Sequence, residues 1–107
     1  MYKLCFFVPE SHVEAVKAAL FAQGAGRIGG YDCCAWQVLG TGQFKPLAGS
    51  QPFIGETEKI TRLSEYKVEM VCADQLIKQV VSTLLQVHPY QEPAYEVYQF
   101  FTVDELM

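Results

Sequence analysis

Positive charge is scarce in this chain. Eight Lys and Arg stand against twelve Asp and Glu, for a net charge of -4, and the basic residues are scattered with no stripe or cluster. A nucleic-acid partner is excluded on this ground, because phosphate binding needs a basic footprint. Long apolar runs are missing too: none approaches the roughly 18 residues a membrane span requires, and no signal peptide precedes the first strand pattern. The expectation is a cytoplasmic protein that does not engage a membrane. There are only two histidines, His12 and His88, and the four cysteines show no C-x-x-C pair, so no zinc-type ligand spacing exists. Cys5, Cys33, Cys34 and Cys72 all fall in apolar runs. Adjacent Cys33 and Cys34 would point to opposite faces of a strand, which predicts small buried side chains with free thiols and no shared ion.

What the chain has in quantity is apolar surface. Of its 107 residues, 50% are hydrophobic, 13% are aromatic and only 19% are charged. That length suits a single domain spanning 1–107 with one core, and the excess of apolar residues predicts self-association.

The pattern along the chain is β-α-β followed by β-α-β. Tyr2 to Pro9 is β-prone and nearly continuously apolar, as a central strand should be. Ser11 and Glu14 fit a capping box, Val13, Val16, Ala19 and Leu20 form a helical stripe, and Gly24 ends the helix. His12 falls in the first turn, as a solvated surface residue. The next strand is expected from Cys33 to Leu39, extending to about Phe44, with Gly40 and Gly42 marking a bulge or bend and Trp36 in a core or interface. Between Lys45 and Gly55 two prolines and two glycines exclude regular structure, while Leu47, Phe53 and Ile54 ask for burial. Arg62 to Cys72 alternates, with Lys67 and Glu69 on one face and Tyr66, Val68 and Met70 on the other. Asp74 is placed to cap a second helix that runs to about Val87, with apolar positions from Leu76 to Leu85. Ala94 to Phe101 is the last strand. Right-handed crossovers then give an α+β, ferredoxin-like β-α-β-β-α-β sandwich, a four-stranded antiparallel sheet with both helices on one face. The other sheet face has nothing left to cover it, although Trp36, Tyr66, Tyr95 and Tyr98 must go somewhere.

Two short stretches carry the chemistry. His88-Pro89-Tyr90-Gln91-Glu92-Pro93 is a stiff turn, because each proline drives the residue before it out of helical backbone space. Its imidazole, phenol and carboxylate suit either a bound cation or polar ligand or the satisfaction of backbone groups at the helix end. Gly24-Ala25-Gly26-Arg27-Ile28-Gly29-Gly30-Tyr31 matches G-x-G-x-x-G, yet it follows a helix and leads into a strand, the reverse of the dinucleotide-binding context. What remains is a flexible turn or a nest of N–H groups with Arg27 beside it, able to receive an anion.

These stretches, with Gly40-Thr41-Gly42-Gln43-Phe44, Pro46 and the continuation Ala94-Tyr95, resemble a known domain over nearly the whole chain. The His-Pro-Tyr turn and the long loop are similar to those of the PII-like signalling proteins and the CutA divalent-cation-tolerance proteins, which are trimers. The closer resemblance is to the PII-like domain inserted in bacterial NGG-interacting-factor-like proteins, labelled type 2 homologues of GTP cyclohydrolase I. It implies a stand-alone PII-like/CutA-like domain acting as a non-catalytic oligomeric binding or regulatory module, trimeric, with a small molecule or a protein as partner. The paired metal ions of the larger proteins are held by residues outside this domain, so neither that centre nor a cyclohydrolase activity carries over. Ligand-binding positions are then expected at Gly24, Gly26, Arg27, Gly29, Gly30, Tyr31, Lys45 and Tyr90. The alternative is a divalent metal ion held by His88 and Glu92, histidine favouring copper, zinc or nickel. No catalytic residue is assigned.

Overall fold

Alternation along the strands decides which side chains meet the helices. The computed structural model describes all 107 residues, Met1–Met107. Strand β1 (Tyr2–Pro9) leads through helix α1 (Val13–Ala22) to β2 (Trp36–Phe44), and a long connection leads on to β3 (Thr61–Cys72). A 3-10 turn (Asp74–Leu76) opens into α2 (Ile77–Val87), followed by β4 (Tyr95–Gln99) and a short α3 (Val103–Leu106). The sheet order is β2-β3-β1-β4, with all pairs antiparallel, which is the expected ferredoxin-like arrangement.

Leu4, Phe6 and Val8 of β1 and Val68, Met70 and Cys72 of β3 share one face. They close a core with Val13, Val16 and Leu20 of α1 and Val80 and Leu84 of α2. Each fully buried large apolar side chain contributes about 1.5–3 kcal/mol relative to exposure, so this double layer is the main stabilising element. Tyr66 and Tyr95 pack against the same core. Trp36 and Tyr98 lie on the opposite face and stay 62% and 52% exposed, so Trp36 is not a core residue. No helix is long and apolar enough to cross a membrane.

Several local expectations are corrected. The second strand begins at Trp36, because Cys33 adopts a left-handed backbone (φ 57) and Asp32 Oδ1 accepts from its N–H at 2.8 Å. Cys33 is therefore exposed and Cys34 half-buried, whereas Cys5 and Cys72 are buried; all four thiols are free. Ser11 makes no helix cap, since its hydroxyl pairs with His12 Nδ1 at 2.8 Å while Glu14 binds Lys17 at 2.9 Å. Nor is His12 simply solvated, its ring standing edge-on to Phe53 at 5.3 Å. The carboxylate of Asp74 binds the N-terminal amine instead of capping α2. Gly40 and Gly42 do not bulge: β2 and β3 pair without a break from Trp36↔Glu69 to Phe44↔Thr61. Beyond Gln99 the chain leaves the sheet, and Thr102 caps α3.

Pro9, the last residue of β1, pairs with Glu65, so Thr61–Ser64 pair only with β2 and form a projecting arm. The molecule is accordingly elongated, 51 × 23 × 22 Å. The connection that joins the two strands of the arm is held by Glu58 N–H to the Pro46 carbonyl (2.6 Å), Ala48 N–H to Glu58 Oε1 (3.1 Å) and Gln51 N–H to Gln91 Oε1 (3.0 Å).

The tightest backbone approach is at Gly26 (φ +79), where a Cβ would stand 2.8 Å from both the Cys34 carbonyl oxygen and the Phe21 ring. Gly26→Ala is expected to cost about 2 kcal/mol, through left-handed strain and a clash with backbone. At Gly30 a Cβ would meet nothing within 4 Å, so Gly30→Ala should stay within about 0.5 kcal/mol of the parent. Urea midpoints at fixed protein concentration separate the two; equal midpoints would refute the packing described for Gly26.

Candidate functional site

Pro89 sets the geometry of the site. It forces His88 into extended backbone (φ -69, ψ 134) and so stops α2, while the His88 N–H still reaches the Leu84 carbonyl at 2.9 Å. The imidazole is 6% exposed and lies against the end of β1. Nδ1 accepts from the Tyr90 N–H at 3.1 Å, and so carries no proton; Nε2 then bears the proton and donates it to the Phe7 carbonyl at 2.7 Å. Burial holds the ring's pKa below its ordinary value, against the weaker upward pull of the Phe7 carbonyl and of Glu65. His88 is thus a neutral tie between β1 and the turn.

A metal ion needs an unprotonated ring nitrogen, and both nitrogens of His88 are engaged. Glu92 is exposed, and no group of three or more His, Cys, Asp or Glu side chains is placed to hold an ion. Of the two expected metal ligands, His88 has both ring nitrogens hydrogen-bonded and Glu92 is exposed.

Tyr90, which the tie positions, reaches back over the sheet. Its hydroxyl donates to Glu65 Oε2 at 2.6 Å, and its ring lies 6.2 Å from Phe44 and 6.4 Å from Phe53. Burial, reinforced by the bond to Glu65, pushes the phenol pKa well up, so Tyr90 acts as a protonated donor and not as a base. The Glu65 carboxylate occupies the space beside Gly42, where a Cβ would overlap it. Gly42 is there to admit the carboxylate, not to bend the strand. Together the turn, the arm and the long connection enclose a cleft of ≈ 480 Å³. Its walls are largely apolar (Phe7, Phe44, Leu47, Phe53), and Lys45, Glu65 and Glu92 supply charge of both signs. That size and that mixture suit a small organic ligand.

Lys45 and Tyr90, two of the expected ligand positions, line this cleft; the glycine turn does not. Gly26 N–H binds the Val71 carbonyl, beside the start of β1, whereas His88 binds Phe7 near its end. The two motifs are thus separated by about four residues of strand, roughly 13 Å. Ile28 and Tyr31 satisfy each other's backbone at 2.9 Å around Gly29 and Gly30, and Arg27 faces Asp32 at 3.5 Å. Gly24 (φ +99) ends α1 against Leu76. The Gly26 N–H is thus held by β3, the Ile28 and Tyr31 N–H groups are bonded within the turn, and its cation is paired with Asp32. Sequence reasoning missed Glu65 and Phe44. Glu65 shares the strand parity of Lys67 and Glu69, which places it on the uncovered face, but its contact with Tyr90 depends on a register that no local pattern displays.

The neutral state of His88 carries a pH dependence. An unfolded His88 takes up a proton near its ordinary 6.5, and the folded one only below that. Between the two values the unfolded chain binds the extra proton. The stabilisation is therefore complete above about 6.5 and is lost as the pH falls through that window. His88→Ala should remove this part of the pH slope and lower stability by about 2 kcal/mol near neutral pH, leaving both the Phe7 carbonyl and the Tyr90 N–H without their partner. Denaturation curves from about pH 7.5 to 5.5 test it; an unchanged slope in the variant would refute the tie.

No protein-family model matches the chain. It is 42% identical over 98 residues to the GTP cyclohydrolase 1 type 2 homolog of Halalkalibacterium halodurans, covering 92% of this chain and 26% of that protein. The Mycobacterium leprae homolog of the same description is 44% identical over 96 residues, covering 90% and 25%. The chain thus spans about a quarter of the length of the curated relatives it matches. Among solved structures, a Bacillus cereus protein related to NIF3 superposes with a TM-score of 0.77 at 36% identity, over 91% of this chain and 24% of that one. CutA1 from Pyrococcus horikoshii superposes with a TM-score of 0.68 at 19% identity, over 98% and 88%, and the PII-like protein CutA from a Nostoc species with 0.66 at 13%, over 94% and 81%. The chain is a ferredoxin-like domain of PII-like/CutA-like fold, similar in sequence to a quarter-length segment of the GTP cyclohydrolase 1 type 2 homologs.

Proposed function

We propose that this chain is a non-catalytic, homo-oligomeric binding or regulatory module, a trimer, that takes a small ligand in the cleft beneath the 45–60 connection. The observation that carries this reading is the uncovered sheet face. Trp36, Val38 and Tyr98 remain 62%, 44% and 52% exposed there, and no element of the chain packs over them. The flanking strands β2 and β4 are both open sheet edges, a further route to pairing between copies. A face of this kind is what association buries. The likeness in fold to the CutA proteins supports the assembly, and their description as divalent cation tolerance proteins is not matched by a ligand set in this chain.

The binding role rests on the cleft. Its polar groups are an ammonium (Lys45), two carboxylates (Glu65, Glu92) and a phenol held protonated. His88 has no free nitrogen with which to move a proton, His12 stands behind the cleft wall against Phe53, and the polar groups that line the cleft suit recognition of a ligand. Four free thiols fit the reducing cytoplasm.

Native mass spectrometry at micromolar concentration should show a trimer for the parent chain. Trp36→Glu puts a charge on the exposed face at little cost to the monomer's core, and it should shift the population to monomer. A monomeric parent, or a trimer indifferent to Trp36→Glu, would overturn the assembly.

A further inference from the structure

Within a strand, adjacent Cys33 and Cys34 would face opposite ways and could share no ligand. The structure removes that obstacle. Neither residue is in β2, Cys33 has a left-handed backbone (φ 57), and the Asp32 carboxylate holds its N–H at 2.8 Å. Cys34 is anchored by its N–H to the Gly26 carbonyl at 2.7 Å, and its sulfur reaches no stronger partner than the Asp32 carbonyl at 3.8 Å. Two free thiols thus lie on adjacent residues outside the sheet, at the edge of the glycine turn, one exposed and one half-buried.

We propose that Cys33 and Cys34 form a two-thiol site for a trivalent thiophilic metalloid, of which a mono-organic arsenic(III) hydroxide is the simplest form. The number of ligands selects this class. Zinc and similar divalent ions need three or four protein donors, and the chain gathers no group of three. A mono-organic arsenic(III) centre brings its own third ligand and asks for two sulfurs only. Soft thiolate donors match a soft, polarisable centre, as they do for soft metals. The exchange balances without redox change: two arsenic–oxygen bonds break, two arsenic–sulfur bonds form, and the two thiol protons leave with the oxygens as two waters. Arsenic stays trivalent throughout.

Selectivity within the chain follows from burial. Cys5 and Cys72 are 2% and 1% exposed, and burial pushes both thiols above the ordinary range, so neither offers an accessible thiolate. The site is separate from the cleft, lying at the far end of β1 from His88.

The test uses the intact, phosphine-reduced protein, with phenylarsine oxide as the probe and native and denaturing mass spectrometry as the readout. One probe per chain is expected, with the mass of a phenylarsenic unit less two hydrogens. Joining two tethered thiols to one centre raises retention by about a hundredfold over a single thiol. The adduct should therefore survive a large excess of a monothiol and be removed by a small dithiol. Cys33→Ser and Cys34→Ser should each lose that retention while melting like the parent. No adduct on the native protein, an adduct stripped equally by the monothiol, or full retention in either serine variant would overturn the proposal. The competition on the parent chain decides the matter even if one variant fails to fold.

Discussion

The imidazole of His88 makes two backbone contacts at once, and the cleft depends on both. Nε2–H holds the end of β1 through the Phe7 carbonyl, and Nδ1 holds the turn through the Tyr90 N–H. Only the neutral ring, in this one tautomer, can donate to the first and accept from the second. Burial stabilises that state, and Pro89 prepares it by ending α2 where the ring can turn inward. Tyr90 is aimed by this tie at Glu65, and Glu65 finds room because position 42 has no side chain. The chain of causes runs from a dipeptide, through a tautomer, to the wall of a cleft.

A second constraint is the arithmetic of a small sheet. Two helices cover one face, and half of a 107-residue chain is hydrophobic. The core that results is tight around Leu4, Phe6, Leu20 and Leu84, but Trp36, Val38 and Tyr98 are left outside it. Polar residues share that outer face: Lys3, Lys67, Glu69 and Glu96 interleave with the aromatics. Such a mixture keeps the free surface hydrated while leaving Trp36, Val38 and Tyr98 as apolar points on it. The cleft adjoins this face, since Phe7 and Glu65 border both.

Much of the fold was legible because its signals are local. Alternation across Tyr66 to Met70 placed Lys67 and Glu69 outward, the spacing of Val80 and Leu84 marked the inner side of α2, and the X-Pro rule ended that helix at His88. What stayed hidden depends on competition between local options. Cys-Cys-Ala-Trp reads as strand, but the Asp32 carboxylate offers the Cys33 N–H a partner that a strand does not. Ser11 and Glu14 satisfy the capping pattern, but His12 and Lys17 are nearer partners. The candidate site was half legible. Lys45 and Tyr90 line the cleft, the glycine turn lies at the other end of β1, and Glu65 enters through cross-strand register and a missing side chain at Gly42. Those last two are properties of a pairing, not of either strand.

The most direct test of the account is the protonation state of His88, read from the nitrogen-15 resonances of its ring near neutral pH. A neutral ring is expected, with a protonated Nε2 and an unprotonated, hydrogen-bonded Nδ1, persisting below the ordinary 6.5. An imidazolium at neutral pH, or a proton on Nδ1, would contradict it: the Tyr90 N–H would lose its acceptor, and with it the arrangement that points Tyr90 at Glu65.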